Sequence, residues 1–250
     1  EAGRRRDLIG IIDWRLERCG DLGVGMRFNF YAEAADVVAE SPDIVIVATG
    51  GLPNLPPLET GHELVVSSWD ILASNTKPGA DVLLYDDNGA HPGLQAAEMI
   101  AEAGAALELV TPERFFAPEI GGLNHVPYAR CFLDCGMRIT INTRLLSVQR
   151  DGNKLVATLG SDYSDTVHER RVDQIVVEHG TKPLDELYFA LKEDSINRGE
   201  IDYKALISGQ PQEVVANSEC AFRLYRAGDA VSSRNVHAAI YDSLRLCKDF

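Results

Sequence analysis

The sequence predicts an α/β protein in which one Rossmann-like dinucleotide-binding fold is interrupted by a second, inserted fold of the same kind. Three observations carry that expectation. Asp43 to Thr49 (DIVIVAT) is an unbroken apolar run ending in Gly50-Gly51, the pattern of a parallel strand buried on both faces. Asp81 to Val110 alternates strand, helix and strand over the length of one βαβ unit. After the inserted stretch, Arg223 to Cys247 returns to strand, turn and helix. The boundaries that follow are 1–76 and 184–250 for the outer fold and 77–183 for the inserted one.

From the start of the chain, the spacing of Leu8, Ile11, Ile12, Leu16, Cys19 and Leu22 predicts a helix capped by Asp7 and closed by Gly23. Met26, Phe28 and Phe30 alternate with other residues as in a short strand. The proline-rich stretch from Pro53 to Pro57 leaves the sheet as a loop. Asp81 to Tyr85 reads as a strand, Asp86 to Gly93 as a turn, and Leu94, Ala97, Ile100 and Ala101 as one helical face that stops at Gly104. Leu107 to Val110 is the next strand. Leu145 to Arg150 and Leu155 to Leu159 flank the turn Asp151-Gly152 as a hairpin. Val172 to Val177 adds a strand that leads into Gly180-Thr181-Lys182-Pro183. In the last stretch Asn235 caps a helix whose inward face is Val236, Ile240, Leu244 and Cys247.

Composition narrows the classes. A hydrophobic content of 45% and a charged content of 25% suit a globular fold, and 250 residues allow one large domain or two smaller ones. A net charge of −14 argues against nucleic acid or an anionic membrane as partner. No apolar run reaches bilayer length, and no signal peptide is present. Five cysteines, an odd number and mostly far apart, suggest reduced thiols in a cytoplasmic protein. The chain begins without Met, as a piece of something longer would.

The chemistry concentrates at strand ends. Gly228 and Asp229 follow an apolar strand and precede the helix start at Asn235, which sets a carboxylate beside the N–H groups of a helix terminus. That terminus suits a phosphate or a reduced, anionic ring, and Asp229 can accept hydrogen bonds from ligand hydroxyls. Turns use Gly-Asp constantly, so the pair alone is weak. Two further strands end in Ala48-Thr49-Gly50 and Gly180-Thr181-Lys182-Pro183, turns of the kind that pass between two dinucleotide folds beside a cofactor. The turn Asp86 to Gly93 stands where G-x-G-x-x-G belongs but departs from it. With Gly93 as the last glycine, Asn88 and Ala90 fill the first two positions, and Asp86 and Asp87 add negative charge. NAD(P) binding there is disfavoured. Cys131 and Cys135 are one helical turn apart with no second pair at metal spacing, the six histidines are dispersed, and no Ser or Cys lies in a nucleophile motif.

Four segments carry a family resemblance: Arg5 to Trp14 (RRDLIGIIDW), Tyr85 to Gly93 (YDDNGAHPG), Asp173 to Lys192 (DQIVVEHGTKPLDELYFALK) and Arg226 to Cys247. Over nearly its full length the chain resembles the C-terminal part of the large flavoproteins of the NADH:flavin oxidoreductase and trimethylamine dehydrogenase group. Within that group it is most similar to the dimethylglycine and N-methylproline demethylases. The resemblance implies a flavoprotein disulfide-reductase-like arrangement of FAD-type and inserted NAD-type domains. It also implies an FMN-binding TIM barrel and a 4Fe-4S cluster, both outside this chain, along with the opening strand and glycine turn of the FAD-type domain. By position, Ala48, Thr49, Gly50, Gly228 and Asp229 match the family's second-dinucleotide contacts, and Asn235, Val236 and His237 match the helix start beside that cofactor. The ligand implied is FAD or an ADP-like nucleotide.

The expectation is therefore the nucleotide-binding half of a flavin-dependent enzyme that demethylates an N-methyl amine, with no catalytic residue in this stretch. Its implied partners are the barrel of the same chain and an electron-accepting flavoprotein, in a homo-oligomer when intact. Two rivals stand beside it. One is an NAD(P)H-dependent ene-reductase resembling 2,4-dienoyl-CoA reductase, which needs a working turn at Asn88 to Gly93. The other is a non-catalytic scaffold with vestigial nucleotide sites.

Overall fold

The computed structural model describes residues 3–55 and 58–248, so Pro56 and Pro57 of the predicted loop lie outside the described residues. A 3-10 turn (Gly3–Ile9) runs into α1 (Gly10–Asp21), which ends where Gly23 takes a left-handed φ of +70°. A capping box between Glu33 and Asp36 starts α2 (Ala34–Ala39). Then come β1 (Ile44–Val47), β2 (Gly51–Pro53), β3 (Val66–Ser67) and α3 (Ser68–Leu72), the last capped by the Ser67 hydroxyl. The predicted βαβ unit is β4 (Asp81–Asp86), α4 (His91–Glu102) and β5 (Ala106–Val110). After α5 (Gly122–Asp134) and β6 (Arg138–Thr140), a meander follows: β7 (Arg144–Asp151), β8 (Lys154–Ser161) and β9 (Ser164–Val172). The chain closes with β10 (Gln174–Glu178), β11 (Thr181–Pro183), α6 (Glu186–Leu191), α7 (Tyr203–Ser208), β12 (Arg223–Arg226) and α8 (Val236–Leu246).

The elements gather into two compact units, Glu1–Val24 with Pro53–Gly180, and Gly25–Leu52 with Thr181–Phe250. In the first, a parallel sheet of order β3-β10-β4-β5-β6 is covered on both faces. Alternation along the strands sorts the core. Val82, Leu84 and Val176 face the helices, packing with Ile71, Leu94, Ile100 and Phe132. Leu83, Tyr85, Ile175 and Val177 face the other way, against Val148, Leu155, Ala157 and Leu159 of the meander. A strand buried on both faces is mostly apolar, which is why the central residues of β4 and β10 were visible as runs, while Asp86 and Glu178 are buried at their carboxyl ends.

The second unit is built on β1 and β12, paired in parallel from Ile44↔Arg223 to Val47↔Arg226. Its core is Val47, Tyr188, Leu191, Phe222, Leu224 and Ala230. Four expectations need correction. Of the DIVIVAT strand only Val47 is buried, because among the described residues β12 is its one strand neighbour and Ile44, Val45 and Ile46 stay half-buried. Met26, Phe28 and Phe30 form no strand and are exposed, since no strand lies alongside to pair with. Helix α8 buries Leu246, while Val236, Ile240, Leu244 and Cys247 are exposed. Asp7 lies inside the 3-10 turn and caps nothing at α1, which begins after Ile9 without a side-chain cap and buries none of its residues. In the first three cases a real apolar pattern exists, but among the described residues no surface covers it fully.

Candidate functional site

In the second unit, the ends of β1 and β12 and the start of α8 enclose an open cleft of about 350 Å³. Ala48, Gly50, Gly228, Asp229, Asn235 and Val236 line it, six of the eight residues expected from the sequence. The other two do not. Thr49 spends its hydroxyl on the Leu184 carbonyl oxygen, while the Leu184 N–H donates to the Gly50 carbonyl oxygen at 3.1 Å, so Thr49 fixes the turn. His237 is exposed on α8 outside the lining.

Local chemistry explains the arrangement. Gly228 has a φ of +65°, and a Cβ there would stand 3.2 Å from the Ala239 Cβ, so this position favours glycine twice over. Asn235 caps α8 by accepting the Ala238 N–H at 2.9 Å, leaving first-turn amides directed at the cleft end of the helix. Asp229 is held by accepting the Arg234 N–H at 3.2 Å. The site is therefore part carboxylate and part helix terminus.

Sequence reasoning missed Arg234 and Asp242. The Arg234 guanidinium binds both carboxylate oxygens of Asp242, and Asp242 accepts the Gly228 N–H at 3.2 Å. Asp242 thus ties the turn to the helix. Its signal was available: Asp242 lies seven residues after Asn235, two helical turns on along the same face.

The turn after β4, in the first unit, carries a second polar group of residues. Asp86 is 2% exposed, and its Oδ1 accepts the N–H groups of Asn88 at 3.0 Å and Gly89 at 2.8 Å. On the neighbouring strand the buried Glu178 accepts from the Ser68 hydroxyl, from Asn88 Nδ2 at 3.0 Å and from the Gly180 N–H at 2.8 Å. His179 pairs through Nδ1 with Asp87 at 2.9 Å. Burial pushes the Asp86 carboxyl up to about 7 despite its two amide bonds, with the Glu178 charge adding to the rise, and burial also raises Glu178.

The five cysteines are free, and burial pushes the Cys131 thiol up to about 11, with Cys135 adding to it, as befits packing rather than reactivity. Among the described residues, no group of three or more His, Cys, Asp or Glu is placed to hold a metal ion, and no helix is long and apolar enough to cross a membrane.

No protein-family model matches the sequence. Individual relatives do. The chain is 55% identical over 249 residues to a Rhizobium meliloti (strain 1021) protein named "Probable N-methylproline demethylase", covering 100% of this chain and 37% of that protein. It is 39% identical over 261 residues to the N,N-dimethylglycine/sarcosine dehydrogenase of Chromohalobacter salexigens, covering 100% of this chain and 38% of the relative. The chain therefore spans a little over a third of the length of the curated relatives it matches. Among solved structures, a 2-naphthoyl-CoA reductase bound to 2-naphthoyl-CoA superposes with a TM-score of 0.77 at 22% identity, over 98% of this chain and 32% of that one. At that identity the likeness shows the shared fold.

Proposed function

We infer that this chain, which belongs to the NADH:flavin oxidoreductase and trimethylamine dehydrogenase family, is the nucleotide-binding part of a flavin-dependent oxidoreductase that demethylates an N-methylated amino acid. One observation carries the reading: a relative named for N-methylproline demethylation matches this chain along its whole length at 55% identity. In the intact enzyme, two-electron oxidation of the N-methyl carbon yields an iminium, which takes up water and releases formaldehyde and a secondary amine. Those steps belong to parts of the protein outside this chain, where FMN and an iron–sulfur cluster are the expected redox groups. An acceptor flavoprotein would take the electrons onward, and five free cysteines suit a reducing cytoplasm.

The cleft of the second unit fits FAD or an ADP-like nucleotide. Its donor set supports this: the α8 terminus suits an anionic group, Asp229 accepts from a ribose or ribityl hydroxyl, and Gly50 and Gly228 let the ligand approach backbone closely. A flavin bound there supplies a station for electrons. By the family resemblance, residues 1–76 and 184–250 would form the FAD-type domain and 77–183 the inserted NAD-type domain. That division differs from the compact units, in which Glu1–Val24 and residues 53–76 go with the inserted stretch.

The test uses the purified full-length protein. Its absorption spectrum and the nucleotides released on denaturation are expected to show FMN together with FAD or an ADP-like nucleotide. Anaerobic mixing with an N-methylated amino acid is expected to bleach the flavin quickly, while NADH acts slowly. Rapid bleaching by NADH with none by N-methylated amines would overturn the demethylase reading in favour of an ene-reductase. A colourless protein would favour the scaffold.

A further inference from the structure

We propose that the Asp86 side chain occupies the phosphate-binding turn of the first unit and closes it to NADH and NADPH. A Rossmann turn holds pyrophosphate with backbone N–H groups between the first strand and its helix. Here those donors are already engaged. Asp86 ends β4, at the carboxyl edge of the sheet, and its Oδ1 takes the N–H groups of Asn88 and Gly89. The residues of this turn do not fit a dinucleotide.

The remaining glycine of the motif serves the carboxylate. A Cβ on Gly93 would stand 2.6 Å from Asp86 Oδ2 and 2.8 Å from its Cγ, so residue 93 must be glycine for Asp86 to lie where it does. The position of the motif's first glycine is taken by Asn88, whose amide bridges to Glu178 on β10. From the other side Pro118 packs under the turn, its Cγ 2.6 Å from where a Gly89 Cβ would be. An incoming phosphate would have to expel a buried carboxylate and then stand beside Glu178 and Asp87. Burial holds the Asp86 carboxyl up to about 7, but Oδ1 keeps a lone pair for both amides whether or not the group is protonated.

This proposal concerns the first unit alone and does not depend on which amine the protein oxidises. It is tested on the full-length protein with NADH as probe, by titration calorimetry and by hydrogen exchange of the Asn88 and Gly89 amides. In the wild-type protein Asp86 already holds those amides, and their exchange is expected to be the same with and without millimolar NADH. The double variant Asp86→Gly, Ala90→Gly, folded by circular dichroism, is expected to bind NADH at least tenfold more tightly and to protect both amides. Slower exchange of Asn88 and Gly89 on adding NADH to the wild type would overturn the proposal whether or not the variant folds. A folded double variant with no gain in binding would overturn it too.

Discussion

Asn197 satisfies both backbone groups of Leu224: its Nδ2 donates to the Leu224 carbonyl oxygen and its Oδ1 accepts the Leu224 N–H, each at 2.9 Å. Both residues are fully buried. Leu224 sits in β12, whose one strand neighbour among the described residues is β1, so on its other edge a side-chain amide does what another strand's backbone would do.

Asn197→Ala therefore strips a buried donor and a buried acceptor at once. At roughly 1–3 kcal/mol for each of the two groups left unsatisfied, the second unit is expected to lose about 2–6 kcal/mol, reduced if water enters. Urea unfolding measures the loss, and hydrogen exchange at Leu224 locates it. A change below about 0.5 kcal/mol would show that the pair contributes little.

Asp229→Ala in the full-length protein is expected to weaken nucleotide retention about tenfold or more, because a charge-assisted hydrogen bond is worth roughly 1.5–3 kcal/mol. The same change frees the Arg234 N–H that Asp229 now accepts, so the turn loosens as well. Equilibrium dialysis and nucleotide content decide it. Unaltered affinity would remove Asp229 from the site.

The Asp86 carboxyl makes stability depend on pH. Its ordinary value of 3.8 rises to about 7 in the folded protein, so between those values the folded state binds more protons than the unfolded one. Its contribution is fully present below about pH 4 and is lost as the pH rises to about 7, and the burial of Glu178 acts in the same direction. Asp86→Asn removes this titration. The denaturation midpoint of the variant is expected to vary less between pH 4 and 7 than that of the wild type, and an equal slope would count against the assignment.

Hydrogen exchange across the chain should be uneven. All residues of β4 after Asp81 are buried, as are the last four of β10, whereas β1 buries only Val47 and α8 only Leu246. Amides of β4 and β10 are expected to exchange slowly, and those of β1 and α8 faster. Equal protection in both sets would mean that α8 and β1 are covered by something more.

The strands of the first unit were legible because a sheet covered on both faces favours apolar runs. The expected strands at Asp81 to Tyr85 and Val172 to Val177 contain the runs Val82 to Tyr85 and Ile175 to Val177, although Val172 ends β9 and β10 begins at Gln174. The Asn235 cap and the Gly228-Asp229 turn were legible because capping and left-handed backbone each select few residue types. Asn197 escaped notice because its partner Leu224 lies 27 residues away and is ordinary in type, and Asp242 because its helical register with Asn235 does not reveal the Gly228 N–H that it accepts.

By itself, then, the sequence determined the strands of the βαβ unit and the hairpin, the Gly228-Asp229 turn and the Asn235 cap, because those depend on neighbours within a few residues. The strand expected at Met26, Phe28 and Phe30 and the cap expected from Asp7 did not form. Only the tertiary structure decided which apolar faces are covered, since periodicity marks a face as apolar without supplying the surface that buries it: the faces of α1 and α8 have the spacing of packed helices and are exposed. It also decided the fate of the degenerate glycine turn. Charge repulsion was readable from Asp86 and Asp87, but Asp86 itself filling the nest depends on Gly93 leaving room and on β10 setting Glu178 beside it, a relation among residues 86, 93 and 178 that exists only once the strands lie side by side.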